Sequence, residues 1–193
     1  MRKLVESTFV TLDGVVGEPQ VWGQPYWDAE HDAYGARLLD PAEALLLGRA
    51  TYEGFAASWP GREGEYADKI NSMPKYVASR TLTEASWNAE IIDGDVAERV
   101  AALKEADGGD LLKYGTGELD RVLLREGLLD ELHLWVFPVL AGKGERLADG
   151  IELTHLELLD VERLESGIVV HVLGPTEGAR GRGRTELWRV KRD

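Results

Sequence analysis

Short apolar segments alternate with helix-forming segments through most of this 193-residue chain, and the alternation limits the folds it can adopt. The predicted strands cover residues 3–12, 44–47, 75–78 and 111–114. The predicted helices cover residues 28–39, 48–55 and 95–105, and another begins after residue 117. Strands that alternate with helices usually lie parallel in one sheet, because each helix serves as a crossover connection. The pattern therefore predicts an α/β fold around a mostly parallel central sheet.

The last third of the chain has a different pattern. Predicted strands follow one another without intervening helices, at residues 131–137, 156–164, 168–173 and 185–190. Gly167 and the segment 174–183 supply the turns. Strands joined without crossover helices pair antiparallel. We therefore expect antiparallel C-terminal strands that extend the parallel sheet, within a single domain over residues 1–193.

The composition excludes several kinds of site and partner. The chain has no cysteine, so it has no disulfide, thiolate metal site or cysteine nucleophile, and its four histidines lack the spacing of a helical zinc pair. A net charge of −13 repels nucleic acid and anionic membranes, so we expect neither as a partner. No apolar stretch is long enough to span a membrane, and the N-terminus does not resemble a signal peptide. These features predict a cytoplasmic protein without a metal.

Three of the predicted strands end in residues that suit a phosphate-bearing ligand. These strand ends are residues 48–51, 79–81 and 115–119. Glycines allow a ligand to approach the backbone, the start of a helix attracts an anion, and arginine pairs with phosphate. Each segment alone is equally compatible with an ordinary turn. Together they favour a dinucleotide, because ligands of open α/β sheets bind beyond the carboxyl ends of the strands.

A long glycine- and proline-rich segment, residues 13–27, separates the first predicted strand from the first helix. Loops of this length are uncommon in compact domains and often have a function. Three aromatic residues in the segment, Trp22, Tyr26 and Trp27, could line an apolar substrate channel or could simply pack in the core.

Several motifs occur in an order and spacing that resemble a known family. They are TLDG (11–14), LLGR with TYE (46–49, 51–53), KYV with SRTL (75–77, 79–82), GTGEL (115–119), and GLLDEL followed by PVLAGKG (127–132, 138–144). The set resembles the C-terminal reductase domain of the bifunctional riboflavin-biosynthesis deaminase–reductase and its stand-alone relatives. The resemblance covers almost the whole chain. It implies a dihydrofolate-reductase-like, three-layer α/β/α fold, NADPH as the cofactor, and a homodimer.

The resemblance also implies an activity and a set of site residues. The activity is reduction of a small heterocycle, similar to that of 5-amino-6-(5-phosphoribosylamino)uracil reductase. The implied NADPH contacts are Gly48, Arg49 and Thr51 at the phosphates, Ser79 and Arg80 at the 2′-phosphate, and Gly115, Thr116, Gly117, Glu118 and Leu119 at the pyrophosphate. The implied loop over the nicotinamide and substrate contains Asp13 and Gly14, and Trp22 and Trp27 of the possible apolar channel are the other candidate substrate contacts.

The chain departs from the family pattern in two places. The bifunctional members carry an N-terminal zinc deaminase, whereas here the reductase strand begins at residue 3 and no cysteine is available for zinc. We therefore expect no deaminase activity. In addition, Arg146, Leu147 and Ala148 stand where the family usually has a phenylalanine after the leucine.

A catalytic carboxylate is predicted on the helix that follows the long loop. Pterin-reducing relatives hold the substrate ring with a carboxylate at this position, which falls on Asp32, with Asp28 as the alternative. A half-buried Asp32 would suit transfer of the proton that accompanies a hydride. In the opposing interpretation Asp28 caps the helix and Asp32 is solvated. A dihydrofolate or pteridine reductase, and a non-catalytic NADP-binding domain, are the alternative functions.

Overall fold

We describe residues 1–176 of the protein from a computed structural model. The predicted strand at residues 185–190, and the predicted turn from residue 177 onward, lie outside the described residues. The strands are β1 (Leu4–Thr11), β2 (Ala42–Gly48), β3 (Lys75–Ala78), β4 (Ala89–Ile91), β5 (Asp110–Tyr114), β6 (Glu131–Phe137), β7 (Leu156–Arg163) and β8 (Val169–Pro175). The helices are α1 (Pro19–Trp22), α2 (Ala29–Leu39), α3 (Arg49–Ser58), α4 (Glu65–Ser72), α5 (Val96–Glu105) and α6 (Glu118–Arg125).

The strands of residues 1–176 form one mixed sheet in the order β4-β3-β2-β5-β1-β6-β8-β7. The first six strands in that order are parallel to one another, and β8 and β7 continue the sheet antiparallel. The predicted α/β class, with a mostly parallel sheet and antiparallel C-terminal strands, is therefore confirmed.

The helices cover both faces of the sheet and give three layers. Leu39 of α2 and Ile70 of α4 pack in the core on one face, whereas Val100 of α5 and Leu123 of α6 pack in the core on the other. In the central strand β2 four consecutive apolar residues, 44–47, are buried, because a parallel strand covered on both faces has no solvent-facing side there. The two cores confirm the predicted α/β/α arrangement.

The connections after β1 and β5 create a crevice between these two neighbouring strands. The chain leaves β1 through α2 and crosses towards β2, whereas it leaves β5 through α6 and crosses towards β6. Because crossover connections are right-handed, the two helices lie on opposite faces of the sheet. Such a topological switch point is the usual ligand site of an open α/β sheet.

Four elements were not predicted from the sequence. Helix α4 buries only Ala67 and Ile70, and β4 has three residues, so neither has a strong periodic pattern. The segment predicted as one long loop contains α1, which begins with Pro19, and a short 3-10 turn at Gln24–Tyr26. Proline favours the first position of a helix, where its missing N–H costs nothing.

Candidate functional site

The parallel strands place all the predicted site segments along one edge of the sheet. The carboxyl ends of β3, β2, β5 and β1 lie side by side in that order. They lead into residues 79–81, 48–51, 115–119 and 12–14 respectively. We call this row of loops the carboxyl edge. The predicted cofactor segments therefore lie beside the β1/β5 crevice, with the predicted substrate loop on its other side.

The start of α3, beyond β2, is open. Gly48 precedes the helix, no side chain caps it, and no acidic residue lies in its first turn. A Cβ atom built at Gly48 would have no atom within 4 Å. The guanidinium of Arg49 donates to Thr81 Oγ1 at 2.5 Å and to Glu53 Oε1 at 2.8 Å. Arg49 therefore joins α3 to the loop after β3 and places a cation on the carboxyl edge.

The loop after β3 contains the predicted 2′-phosphate residues. Ser79 Oγ accepts hydrogen bonds from the backbone N–H groups of Thr81 at 3.3 Å and Leu82 at 3.0 Å, so its hydroxyl forms the turn. Arg80 Nη2 donates to both carboxylate oxygens of Glu118, at 2.9 and 2.7 Å. Both side chains are largely exposed, and exposed ion pairs are weak, so a phosphate could replace Glu118 as the partner of Arg80.

The glycine loop, which we define as residues 115–117, joins β5 to α6. Gly115 has φ +67°, and a Cβ built there would lie 2.9 Å from Thr51 Oγ1. Thr51 therefore packs against the glycine loop. A Cβ at Gly117 would have no atom within 4 Å, so the second glycine borders open space. Leu119 is buried in the core, so only its backbone is available to a ligand.

Three ionisable side chains lie buried beneath the glycine loop, and we refer to them as the buried triad: Glu6 of β1, Lys113 of β5 and Asp120 of α6. Lys113 Nζ lies 2.6 Å from Asp120 Oδ1 and 3.4 Å from Glu6 Oε2. Each of the three side chains is at most 4% exposed. The sequence analysis did not identify this cluster.

The environment of the triad alters the pKa of each member. Burial raises the pKa of Glu6 to about 8, against the opposing effect of the Lys113 cation. Burial disfavours charge on Lys113, but the two carboxyl groups raise its pKa. Burial also disfavours charge on Asp120, but the nearby ammonium of Lys113 holds its pKa below the usual range. Near neutral pH the triad therefore contains one ion pair and one protonated carboxyl group.

Asp13, predicted at the substrate, ties two loops together. Its Oδ1 accepts from Thr11 Oγ1 at 2.6 Å and Ala141 N at 3.0 Å, and its Oδ2 accepts from Gly142 N at 2.7 Å. These hydrogen bonds, that of Thr11 first, lower the pKa of Asp13 to about 2. The Arg146 side chain also donates to the Asp13 carbonyl. The carboxylate thus fixes the loop after β1 to the loop after β6.

The two tryptophans predicted at the substrate differ in their surroundings. Trp22 donates from Nε1 to the Gly17 carbonyl at 2.8 Å and packs edge-on against Phe137, with ring centroids 5.1 Å apart. Trp27 remains 42% exposed and stacks on His31, at 6.0 Å between centroids. Trp22 therefore holds the long loop in place, whereas the ring of Trp27 can face a ligand.

The first turn of α2 agrees with the capping interpretation of its acidic residues. Asp28 accepts a hydrogen bond from the backbone N–H of His31 at 2.9 Å, and so caps the helix. The side chain of Asp32 is 81% exposed and lies 3.2 Å from Nδ1 of His31. The structure therefore agrees with the interpretation in which Asp32 is solvated, because this position of α2 faces solvent. Its catalytic role stays a prediction.

Two tyrosine hydroxyls beside the crevice were not identified from the sequence. Tyr114, the last residue of β5, and Tyr66 of α4 have their hydroxyl oxygens 2.8 Å apart. Burial raises the pKa of both phenols, so both stay protonated near neutral pH. A Cβ built at Gly35 of α2 would lie 3.7 Å from the Tyr66 hydroxyl. The pair therefore lies between α2 and the end of β5.

Residues 1–176 contain neither a candidate metal centre nor a membrane-spanning helix. In that range no group of three or more His, Cys, Asp or Glu residues is arranged to hold a metal ion. None of the helices in that range has the length and apolar character needed to cross a membrane.

Known proteins share this fold. The uncharacterised YyaP protein of Bacillus subtilis (strain 168) is 29% identical over 175 residues, which are 87% of this chain and 92% of that protein. A Shewanella sp. PV-4 protein, provisionally assigned to riboflavin biosynthesis, superposes with a TM-score of 0.73 at 20% identity, over 91% of this chain and 99% of the other. A Thermotoga maritima diaminohydroxyphosphoribosylaminopyrimidine deaminase/5-amino-6-(5-phosphoribosylamino)uracil reductase superposes with a TM-score of 0.60 at 14% identity, over 90% of this chain and 56% of the other.

A family model agrees with the resemblance found in the sequence. The RibD C-terminal domain model matches residues 2–170, which is most of the chain. The matched range includes every strand that borders the carboxyl edge. On this evidence the chain belongs to the RibD C-terminal domain family.

Proposed function

We propose that this protein is an NADPH-dependent reductase of a small heterocyclic substrate. The observation that carries the proposal is the row of loops on the carboxyl edge. Three of them have features that suit phosphate groups. The loops after β5 and β1 border the β1/β5 crevice, and those after β2 and β3 continue the row on the β5 side. Membership of a reductase-domain family supports the reaction class. The Thermotoga maritima relative, named as an aminouracil reductase, suggests the substrate class.

The charges on the carboxyl edge are compatible with an anionic dinucleotide despite the negative charge of the chain. Of the two acidic residues at the start of α6, Asp120 is paired with the buried Lys113, whereas the exposed Glu118 would release Arg80 to the 2′-phosphate. Arg49 adds a cation beside the open start of α3. The open space at Gly48 and Gly117 admits a ligand close to the backbone. The residues present therefore fit NADPH.

The chain's own residues would bind and orient the reactants. When bound, NADPH supplies the hydride of the reduction. The exposed face of Trp27 can hold a flat ring. Of the paired hydroxyls of Tyr66 and Tyr114, one donates to the other, and the remaining proton can be donated to a ring nitrogen or carbonyl group. Asp32 is the candidate for moving a proton. Pterins and folates are the alternative substrates, and a cytoplasmic location remains a prediction.

We expect NADPH to bind more tightly than NADH, and the Arg80→Ala variant to lose most of that preference. A charge-assisted contact of arginine with phosphate contributes about 1.5–3 kcal/mol, which corresponds to roughly one to two decades of affinity. The measurement is a fluorescence titration of both cofactors against both proteins. An equal affinity of the unaltered protein for the two cofactors would refute the NADPH assignment.

The matched control is Arg125→Ala, which removes an exposed arginine of the same charge at the far end of α6. It should leave the cofactor preference unchanged. Oxidation of NADPH is then followed with a panel of aminouracils, pterins and folates through the near-ultraviolet absorbance of the reduced nicotinamide, which NADP⁺ lacks. Binding without turnover of any compound would favour the non-catalytic NADP-binding alternative.

We also propose a homodimer in which β7 contributes to the contact. Strand β7 is the last strand of the described sheet, and its side chains Leu158, Leu159 and Val161 are each about half exposed. Apolar side chains on an outer strand favour association. Light scattering at micromolar concentration should give the mass of two chains, and Val161→Lys should lower it. A monomer mass for the unaltered protein would contradict the proposal.

A further inference from the structure

The buried triad carries an inference that rests on the proposed function and extends it. We propose that Glu6, Lys113 and Asp120 position the glycine loop for the cofactor pyrophosphate, and that the proton on Glu6 keeps the loop in its binding arrangement. None of the three side chains would itself contact the cofactor. They are positioning residues that act through the backbone of the loop.

Direct contacts join the triad to both ends of the glycine loop. Lys113 Nζ donates to the carbonyl oxygen of Gly115 at 2.5 Å. Asp120 Oδ2 accepts from the backbone N–H of Gly117 at 2.5 Å. The two contacts fix the loop on either side of Thr116. A change in the charge distribution of the triad therefore changes the hydrogen bonds that hold the loop.

The hydrogen bonding of Asp120 indicates where the proton lies. Asp120 forms side-chain hydrogen bonds with both Lys113 and Glu6, and Lys113 Nζ lies 2.6 Å from its Oδ1. Two carboxyl groups can hydrogen-bond to each other only if one of them holds a proton. A proton on Glu6 supplies that donor, and Glu6 Oε1 accepts from Thr8 Oγ1 at 2.8 Å. The geometry therefore favours a neutral Glu6.

The groups that face Glu6 determine the effect of losing its proton. Lys113 faces it from β5, Asp120 faces it from α6, and β6 contributes the apolar Leu132 at the paired position. Burial raises the pKa of Glu6 to about 8. Above that pH a second carboxylate competes for Lys113 and draws it from the Gly115 carbonyl. The triad then carries a net negative charge beneath the loop, where it repels the pyrophosphate.

The test is the affinity for NADPH between about pH 6.5 and about pH 9.5, a range that brackets the pKa of a buried carboxyl group. We expect the affinity of the unaltered protein to fall about tenfold over this range, which corresponds by linkage to a shift of about one pKa unit on binding. Glu6→Gln, which cannot lose a proton, should show no such fall. Glu162→Gln, which removes an exposed carboxylate on β7, should behave like the unaltered protein.

Two further measurements keep the inference testable if Glu6→Gln does not fold or no cofactor binds. Thr8→Val removes a hydrogen bond that lowers the pKa of Glu6, so the fall in affinity should move to higher pH. Hydrogen exchange of the loop amides, corrected for intrinsic rates, should lose protection above about pH 8 without any cofactor. If NADPH fails to bind at any pH, the proposed function fails, and this exchange experiment alone decides the role of the triad.

Two outcomes would overturn the inference. One is a fall in affinity with pH that Glu6→Gln retains, because another group would then cause it. The other is that the protection of the loop amides against hydrogen exchange changes no more with pH in the unaltered protein than it does in Glu6→Gln.

Discussion

Replacing Lys113 by methionine is expected to lower the free energy of unfolding by about 3–5 kcal/mol, because removing one partner of a buried ion pair leaves an uncompensated charge. The ammonium of Lys113 lies 2.6 Å from Asp120 and is the only cation of the triad. Methionine keeps much of the side-chain length but supplies no charge for the carboxylate. Urea denaturation at neutral pH, with an unchanged m-value, measures the loss.

Two controls separate the charge effect from packing. Lys113→Met combined with Asp120→Asn should recover most of the loss, because Glu6 is protonated and the double variant leaves no buried charge. Lys3→Met removes an exposed lysine that pairs with Glu131, and should cost less than about 1 kcal/mol. The loss in Lys113→Met should also shrink at low pH, where Asp120 becomes protonated. A loss below about 1 kcal/mol at neutral pH would contradict the buried ion pair.

The fold was predictable because local patterns determine most of it. The apolar run of β2 and the helical spacing of α5 indicate the parallel part of the sheet, and the absence of helices after β6 indicates its antiparallel end. Helix α4 and strand β4 were missed, since both are short and have few buried side chains. The carboxyl edge followed from strand direction alone, because parallel strands end on the same side.

The buried triad was not predicted because it depends on strand order. Glu6 and Lys113 each interrupt an apolar strand, which is a local signal that was available. The sequence does not show that β1 and β5 are neighbours, or that these two residues are paired in register. It also does not show that Asp120 of α6 lies over both. The charged residues are visible in the local sequence, but it is the order of the strands that brings them together.

The sequence also did not show which residues of α2 face the crevice. A rotation of α2 by a single residue, about 100°, decides whether Asp32 faces the crevice or solvent, and the sequence contains several acidic residues nearby. The contact between Thr51 and Gly115 likewise joins two residues that were both assigned to the ligand. In each case the residue type was informative, whereas the neighbour was determined by tertiary packing.

Replacing Gly115 by alanine should weaken NADPH binding by more than about tenfold and destabilise the fold by about 1–3 kcal/mol. The backbone at Gly115 has φ +67°, which L-residues with a Cβ adopt only with strain. The new Cβ would also lie 2.9 Å from Thr51 Oγ1, so the glycine loop or α3 must move. Either movement changes the spacing between two of the segments that we propose to bind phosphate. Titration with NADPH and thermal unfolding measure the two effects.

Two variants distinguish three effects: the backbone strain at position 115, the contact of the new Cβ with Thr51, and the loss of space for the ligand. Thr51→Ala in the Gly115→Ala background removes the close oxygen but not the backbone strain, so it should restore only part of the stability. Gly117→Ala adds a Cβ where the backbone is extended and no atom lies within 4 Å, so the fold should keep its stability. If Gly117→Ala nevertheless weakens NADPH binding, the open space at this glycine is where the cofactor lies. If it leaves the affinity unchanged, the pyrophosphate does not approach this part of the loop, and its assignment to Gly117 is wrong.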